Sequence, residues 1–292
     1  MMHALILGAV NPVGCRLAEA LCDRGLTVVA LVENWVQAPR LARMRLRMIE
    51  GRIADRDALG RAMAGCDVAF HCAEYDRPWE STLTRGPRDV LRSAWRRLAR
   101  RVDSAFFLPR RNLEYAEAVL STALQSGVRR VVCLNAAAVP TAPEAAALRY
   151  HRDLGLSVAV LRPATLYGPF CSWTEDVVRA LRRGRKPRGG LAPCLYVDHL
   201  VEAMLLVVGT DAGAGDVFPL YDQEPASCEE LLEAHIRAFT GNWEPASTMQ
   251  EYQEREIDAD IQRARRVLGY NPSSSFAQNM ARTAAWIQWS RL

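Results

Sequence analysis

The sequence has no long apolar run, no paired cysteine motif and almost no lysine. None of its apolar stretches approaches the roughly 20 residues that a membrane-spanning helix needs, and the chain does not open with a basic segment followed by an apolar one. We therefore expect a cytoplasmic protein without a membrane span. The 8 cysteines are scattered through apolar segments without any C-x-x-C spacing, which indicates buried thiols rather than a metal or redox site.

Basic charge is carried almost entirely by arginine, because Lys186 is the single lysine among the 37 basic residues. The net charge of +4 is mild, and the 5 histidines show no ligand spacing, so we expect no bound metal. Half of the 292 residues are apolar. The chain can therefore form one large α/β domain, alone or with a small appendage, and either can bury a core.

The first segment, ALILGAVNPVGCRLAEALCDRGLTVVALVEN, predicts a strand over 4–7, a helix over about 13–24 and a second strand over 27–32. Gly8 allows a tight turn after the first strand, and Gly14 lets the helix pack close to the sheet. Asn11, Pro12 and Val13 complete this turn. The turn leaves the N-terminus of the helix free to receive an anion such as a pyrophosphate.

Two residues of this unit affect which dinucleotide could bind at this turn. Glu33 stands at the tip of the second strand, where a carboxylate accepts hydrogen bonds from a ribose 2′-hydroxyl and repels a 2′-phosphate, which favours NAD over NADP. Asn11 occupies the middle position of the G-x-x-G-x-x-G pattern. Asparagine tolerates a left-handed backbone, but its side chain crowds the approach of a phosphate. Dinucleotide binding and a structural remnant of such a site both stay open.

Strands and helices alternate along the next segments. Strands are predicted over 45–50, 66–74, 131–134 and 158–161, and helices over 54–65 and 112–127. This alternation predicts an α/β protein with a Rossmann-like, doubly wound parallel sheet. We expect a dinucleotide-binding domain over 1–165, with an insertion at 76–111, and a small C-terminal α/β substrate region over 166–292, with the chain crossing between the two.

Several motifs carry a resemblance to a known family. In chain order they are GAVNPVG, GRIADRDAL, AFHCAE, VLRPATLYGP and LYVDHLVEAM. By their order and spacing the chain resembles the extended short-chain dehydrogenase/reductase family, in its NAD-dependent epimerase/dehydratase group, over almost its whole length. Besides the turn residues and Glu33, the resemblance implies cofactor contacts at Arg52, Ile53, Cys72, Ala73, Glu74, Leu134 and Pro163.

The resemblance breaks at the residues that do the family's chemistry. Members use a Ser or Thr together with a Tyr-x-x-x-Lys helix, in which the lysine ammonium lowers the pKa of the tyrosine that moves the proton. Ala136 matches the position of the serine, and the helix that should follow is shortened, aligning from Glu144 onward. No Tyr-x-x-x-Lys exists anywhere, because Arg182 stands four residues before Lys186. The resemblance therefore implies a degenerate member without the Ser-Tyr-Lys triad.

Two smaller departures point the same way. Arg52 replaces the acidic residue that usually meets the adenine, and His199 replaces the second aspartate of a V-D-D pattern. Together with Asn11, they indicate either that the chain no longer depends on the family's cofactor chemistry or that it carries out a different chemistry.

Five residues are weak candidates for a replacement acid, base or orienting group. His71, Glu74 and Tyr75 leave the fourth strand at its carboxyl end, beside the expected nicotinamide, with packing or surface roles as the alternative. Asn135 lies next to the missing serine and could orient a carbonyl, but it cannot act as an acid or base. Tyr150 has His151 beside it, yet adjacent helical residues point to different faces, so a packing role is the alternative.

The insertion contains an arginine-rich helical pattern from Arg88 to Val102 (residues 88–102). Its apolar residues form one stripe and its arginines lie mostly off that stripe. Three interpretations stay open: a surface helix that covers the substrate cleft, a helix that docks a protein partner or an anionic surface, and nucleic-acid binding. The last is the weakest, because one basic stripe without stacking residues is a poor footprint for nucleic acid.

Two hypotheses for the function follow. In the first, the protein keeps the fold and the nucleotide for binding, regulation or assembly and has lost standard catalysis. In the second, it is an enzyme of altered mechanism, a reductase, isomerase or lyase that acts on a small metabolite in the cleft. The second hypothesis is compatible with the loss of the triad, because one acid/base group typically increases the rate of a reaction by only about 10²–10⁴-fold.

Overall fold

The computed structural model describes residues 2–72, 108–135, 140–184, 193–222, 228–242, 258–272 and 274–290. The basic pattern at 88–102 lies outside the described residues, and so do Ala73, Glu74, Tyr75 and Ala136.

Seven strands form one parallel sheet in the order β3-β2-β1-β4-β5-β6-β9, and β7 and β8 form a separate parallel pair. The strands are β1 His3–Leu7, β2 Thr27–Val32, β3 Arg47–Glu50, β4 Val68–His71, β5 Arg130–Leu134, β6 Ser157–Pro163, β7 Thr165–Tyr167, β8 Cys194–Tyr196 and β9 Val217–Leu220. The strand β9 lies beyond residue 166 in sequence and returns to the main sheet beside β6. The predicted doubly wound parallel sheet is confirmed.

Helices cover both faces of this sheet. They are α1 Pro12–Asp23, α2 Arg56–Met63, α3 Leu108–Gln125, α4 Ala142–Leu154, α5 Ser172–Arg182, α6 Val197–Val208, α7 Cys228–Thr240, α8 Asp258–Leu268 and α9 Phe276–Trp289. One face packs against α1 and α6, and the other packs against α2, α3 and α4. The sheet is thus buried on both faces, as the continuous β-branched and apolar runs of its strands require.

The register of the strands brings their carboxyl ends together. Leu7, the last residue of β1, lies opposite Leu31 of β2 and His71 of β4, and His71 in turn lies opposite Cys133 of β5. Polar groups that follow these strands therefore share one edge of the sheet. Ligands of open parallel sheets bind at this edge.

No helix within the described residues is long and apolar enough to cross a membrane. The same part of the chain contains no cluster of three or more histidine, cysteine, aspartate or glutamate side chains that could hold a metal ion.

Gly14 controls how closely α1 approaches the sheet. A Cβ at this position would lie 2.2 Å from the carbonyl oxygen of Gly8, whereas a Cβ at Gly60 of α2 would meet nothing within 4 Å. We expect Gly14→Ala to destabilise the fold by about 1–3 kcal/mol, because a backbone atom cannot yield easily.

We expect the control, Gly60→Ala, to stabilise the fold by about 0.5–1 kcal/mol through its higher helix propensity. Urea unfolding of both variants measures the two changes. Equal stability of the two variants would contradict the close approach at Gly14.

Candidate functional site

The turn between β1 and α1 is held together by Asn11. Its Oδ1 accepts a hydrogen bond from the Gly14 amide at 2.7 Å, and its Nδ2 donates to the Cys72 carbonyl oxygen at 2.7 Å. The Asn11 backbone is extended, with φ −75°, as is usual for a residue that caps a helix, so the chain does not use the left-handed conformation that asparagine tolerates. A positive φ is needed only at Gly8, where it is 81°. Asn11 caps the helix and ties it to the end of β4, a role that a glycine could not fill.

This turn fits a pyrophosphate at the N-terminus of α1. Gly14 leaves no room for a side chain, so the turn stays tight against the first turn of the helix. Pro12 has no amide hydrogen, and the Gly14 amide is committed to Asn11. Asn11 therefore reduces the number of free amides, while the partial positive charge of the helix end still favours an anion.

Charged and aromatic side chains lie at the end of β2 and β3. Glu33 follows β2, and its Oε2 lies 3.8 Å from Nε of Arg52, which follows β3. Trp35 donates its indole N–H to Oε2 of Glu50 at 2.7 Å, although its side chain is about half exposed. Ile53 is partly buried against the core on the α2 side of the sheet. The arrangement brings Glu33 and Arg52, both predicted from the sequence, to one place.

A buried ionic network lies at the carboxyl end of β5 and β6. Arg162 of β6 donates to both carboxylate oxygens of Glu144, from Nη2 to Oε1 at 2.6 Å and from Nε to Oε2 at 3.1 Å. Asn135, which follows β5, donates from Nδ2 to Oε2 of Glu144 at 2.6 Å. Asn135 is 3% exposed and Glu144 is 5% exposed. We call these three residues the buried brace.

The buried brace joins the residue that follows β5, the first turn of α4 and the end of β6. The Glu144 carboxylate is neutralised by Arg162 and accepts three hydrogen bonds, and a guanidinium keeps its proton at any ordinary pH. Both oxygens of the Glu144 carboxylate therefore already accept hydrogen bonds from neighbouring side chains. Sequence reasoning missed Arg162, although its place within the VLRPATLYGP motif was a usable signal.

His71 is 1% exposed at the end of β4, and its Nε2 has no hydrogen-bond partner within the described residues. Burial lowers the pKa of His71 to about 4, so the ring is neutral near pH 7.

The remaining predicted site residues within the described part of the chain lie close to the core. Cys72 contributes its carbonyl oxygen to the Asn11 contact, and Leu134 and Pro163 are buried at the ends of β5 and β6. Tyr150 packs against the core beneath α4, further along that helix than Glu144.

A second polar network joins the C-terminal elements. Asp222 accepts hydrogen bonds from the Tyr167 hydroxyl at 2.9 Å and from the Tyr196 amide at 2.9 Å, and it lies 2.7 Å from Nδ1 of His199. The other ring nitrogen of His199 lies 2.6 Å from Oγ of Ser274. An aspartate at position 199 would bring two carboxylates together, so the histidine fits this network. Burial raises the pKa of Tyr167 well above its usual value.

The chain belongs to a family of NAD(P)H-binding proteins, whose pattern matches residues 8–167, more than half of the 292 residues. This match confirms the prediction that the cofactor is a nicotinamide dinucleotide, without separating NAD from NADP. The loss of the triad, the individual site residues and the preference for NAD over NADP stay predictions.

Two curated relatives are reductases. A 4-hydroxy-2-methyl-3-oxo-4-farnesyl-3,4-dihydroquinoline-1-oxide ketoreductase of Stigmatella aurantiaca is 28% identical over 278 residues, covering 82% of this chain and 76% of the relative. A 3-diazoavenalumate denitrifying reductase of a Streptomyces species is 27% identical over 272 residues and covers 82% of both chains.

Among solved structures, a dTDP-glucose 4,6-dehydratase of Streptomyces venezuelae with NAD bound superposes with a TM-score of 0.72 at 22% identity, covering 99% of this chain and 98% of that chain. This likeness confirms the fold expected from the resemblance to the epimerase/dehydratase group.

The buried brace makes a specific prediction about stability. Glu144→Gln leaves the Arg162 charge without its carboxylate in a largely buried place, and we expect a loss of about 3 kcal/mol in the free energy of unfolding.

Glu117→Gln is the matched control, because Glu117 of α3 pairs with Arg149 of α4 at 2.8 Å with both side chains about half exposed. We expect that change to cost no more than about 1 kcal/mol. Chemical denaturation at neutral pH compares the two variants. A loss for Glu144→Gln no larger than the control's would show that the ion pair is not buried in solution.

His71 makes a prediction about pH. Its pKa in the folded protein is about 4, against 6.5 for the free side chain, so the unfolded chain binds more protons between these values. The stability that the neutral His71 contributes is therefore complete above about pH 6.5 and is lost as the pH falls towards about 4, by about 3 kcal/mol for a shift of this size.

We expect His71→Leu to flatten the dependence of the free energy of unfolding on pH in this window. Unfolding measured at several pH values in both proteins tests this, and identical slopes would contradict a buried, neutral His71.

Proposed function

We propose that this protein binds a nicotinamide dinucleotide along the carboxyl edge of β1, β2 and β4 and that it does not use the tyrosine-dependent proton relay of its relatives. The dinucleotide would place its pyrophosphate at the N-terminus of α1, beside Gly8 and Gly14, and its adenosine ribose near Glu33. When bound in its reduced form, this cofactor supplies a hydride.

One observation carries the proposal, namely the buried brace. At the edge where a relay would operate, the Glu144 carboxylate is held by Arg162 and Asn135 and so gives structural support instead of an acid or a base. The sequence supports the same conclusion, since its one lysine is not preceded by a tyrosine four residues earlier. A nucleotide-dependent binding or regulatory role is the function that fits these residues best.

A reductase is the second candidate, and the two curated relatives favour it. Hydride transfer to a cationic or strongly electron-poor acceptor gives a neutral or stabilised product, and such a step needs no proton from the protein. The roles of this chain's residues would then be to bind, to orient and to exclude water. Isomerase and lyase mechanisms fit less well, because they need a side chain that takes and returns a proton.

Asn11 offers a pair of variants that tests the location of the cofactor. Asn11→Asp keeps the acceptor of the helix cap, loses the donor to the Cys72 carbonyl oxygen and places a negative charge beside the expected pyrophosphate. Because of the repulsion between the two negative charges, we expect the dissociation constant of NADH to rise at least about tenfold.

Asn11→Gly removes the side chain and both of its hydrogen bonds. We expect it to lower stability by about 1–2 kcal/mol without weakening the binding of NADH. Calorimetric titration together with thermal unfolding separates these effects. Binding of NADH by Asn11→Asp as tight as that of the unaltered protein would place the cofactor elsewhere.

Assays of turnover test the missing relay. We expect no steady oxidation or reduction of the nicotinamide with nucleotide sugars above about 1 s⁻¹, the lower end of rates for competent enzymes. Single-turnover measurements with NADH and two kinds of acceptor, a neutral ketone and a cationic acceptor, distinguish the two candidates. Transfer to the cationic acceptor alone supports a reductase of this altered type, and transfer to neither supports a binding role. Fast steady turnover with a nucleotide sugar would overturn the proposal.

A further inference from the structure

We propose that Ser274 is an activated nucleophile that hydrolyses small carboxylic esters, with His199 as its base and Asp222 as the group that orients the base. Oγ of Ser274 lies 2.6 Å from Nε2 of His199, and Nδ1 of His199 lies 2.7 Å from Oδ1 of Asp222. A serine, a histidine and a carboxylate that contact one another in this order activate the hydroxyl in acyl-transfer enzymes of unrelated folds. The proposal does not depend on a bound dinucleotide.

Three parts of the chain that are far apart in sequence meet at this cluster. Asp222 follows β9, His199 lies in the first turn of α6 directly after β8, and Ser274 immediately precedes the residue that caps α9. The strand β9 forms the opposite edge of the main sheet from β3, so the cluster lies apart from Glu33 and Arg52. The ester-hydrolysing site is therefore separate from the proposed adenosine end of the dinucleotide site.

The surroundings of His199 fix which of its nitrogens faces the serine. Asp222 accepts the Tyr196 amide with the oxygen that faces Nδ1 and the Tyr167 hydroxyl with its other oxygen, both at 2.9 Å. The Tyr196 ring packs edge-on against the imidazole, with the ring centroids 5.5 Å apart. An ionised carboxylate can only accept, so Nδ1 carries a hydrogen. In the neutral ring Nε2 then holds the electron pair that takes a proton from Ser274.

Asn279 determines where the serine hydroxyl sends its hydrogen. Its Oδ1 lies 2.7 Å from Oγ of Ser274, while its buried Nδ2 lies near the Tyr167 hydroxyl without a hydrogen bond of normal geometry within the described residues. A half turn of the amide exchanges the two atoms, so that Nδ2 donates to Oγ. The buried donor thereby gains a partner, and the hydroxyl gives its one hydrogen to His199.

Ser274 is partly exposed and lies where negative charge is favoured. The capping box engages the amides of Ser275 and Gln278, whereas the amides of Phe276 and Ala277 make no hydrogen bond within the described residues. These free amides belong to the positive end of a 14-residue helix. That end stabilises the oxyanion that forms when a nearby hydroxyl attacks a carbonyl carbon. Because the serine is only partly exposed, small acyl groups fit best.

The reaction has two balanced steps. In the first, Oγ of Ser274 forms a bond to the carbonyl carbon of the ester while its proton passes to Nε2 of His199. The bond between that carbon and the alcohol oxygen then breaks, and the alcohol leaves with the proton from His199. In the second step, water attacks the acyl-serine in the same way, which releases the carboxylic acid and restores Ser274.

Hydrolysis of p-nitrophenyl acetate tests the proposal. We expect the unaltered protein to release p-nitrophenolate faster than buffer, and we expect Ser274→Ala and His199→Gln each to lower this rate at least about hundredfold, as the loss of the nucleophile or of its base requires. Thermal unfolding shows whether each variant is folded. Diisopropyl fluorophosphate, which reacts with activated serines, should attach to Ser274, and mass spectrometry of the digested protein locates the label. This labelling uses the unaltered protein, so it decides the question even if His199→Gln does not fold.

Ser290→Ala is the matched control. Ser290 lies at the other end of α9, is likewise partly exposed and donates to the Ile287 carbonyl oxygen at 3.1 Å. We expect an unchanged rate for this variant and no label on Ser290. Hydrolysis by the unaltered protein no faster than by Ser274→Ala, or a label on another residue instead of Ser274, would overturn the proposal and indicate that the hydroxyl donates to Asn279. Either result would leave the proposed function intact, because titration with NADH tests that function separately.

Discussion

A parallel sheet that is buried on both faces admits polar side chains only at the ends of its strands. Seven strands within the described residues form such a sheet, with helices packed on each side and mainly apolar side chains along the strands. Asn11, Glu33, Asn135 and Arg162 all lie at or just beyond the carboxyl ends of strands or in the turn that follows β1. The chemistry that this protein can perform is therefore decided by a short list of residues along one edge.

Two arginine–glutamate pairs on that edge differ in their surroundings. Glu144 and Arg162 are largely removed from water and meet through two hydrogen bonds, so the loss of either side chain leaves the other's charge buried without a partner. Glu33 and Arg52 face solvent at a longer distance, so water screens their attraction and the pair is weak. The same residue types thus form a buried contact at one end of the edge and a solvent-exposed contact at the other.

The sequence was sufficient for much of the fold. The glycine spacing and the apolar runs predicted the first strand, helix and strand within a residue or two of their observed bounds, because these features depend on local sterics and periodicity. The contact between Asn11 and Cys72, which is 61 positions away, was not predicted, because no local pattern contains that information.

The sequence by itself determined that the given chain contains no Tyr-x-x-x-Lys motif, since Arg182 stands four residues before its one lysine. It also determined which strands are buried, because periodicity and composition are local properties. Only the tertiary structure decided that Glu144 meets Arg162 and Asn135, and that Arg52 meets Glu33. Glu33 meets Arg52, and Asn135 comes close to Arg162, because parallel pairing aligns the ends of neighbouring strands. Glu144 reaches Asn135 and Arg162 from the first turn of α4, which packs beside β6 once the sheet has assembled.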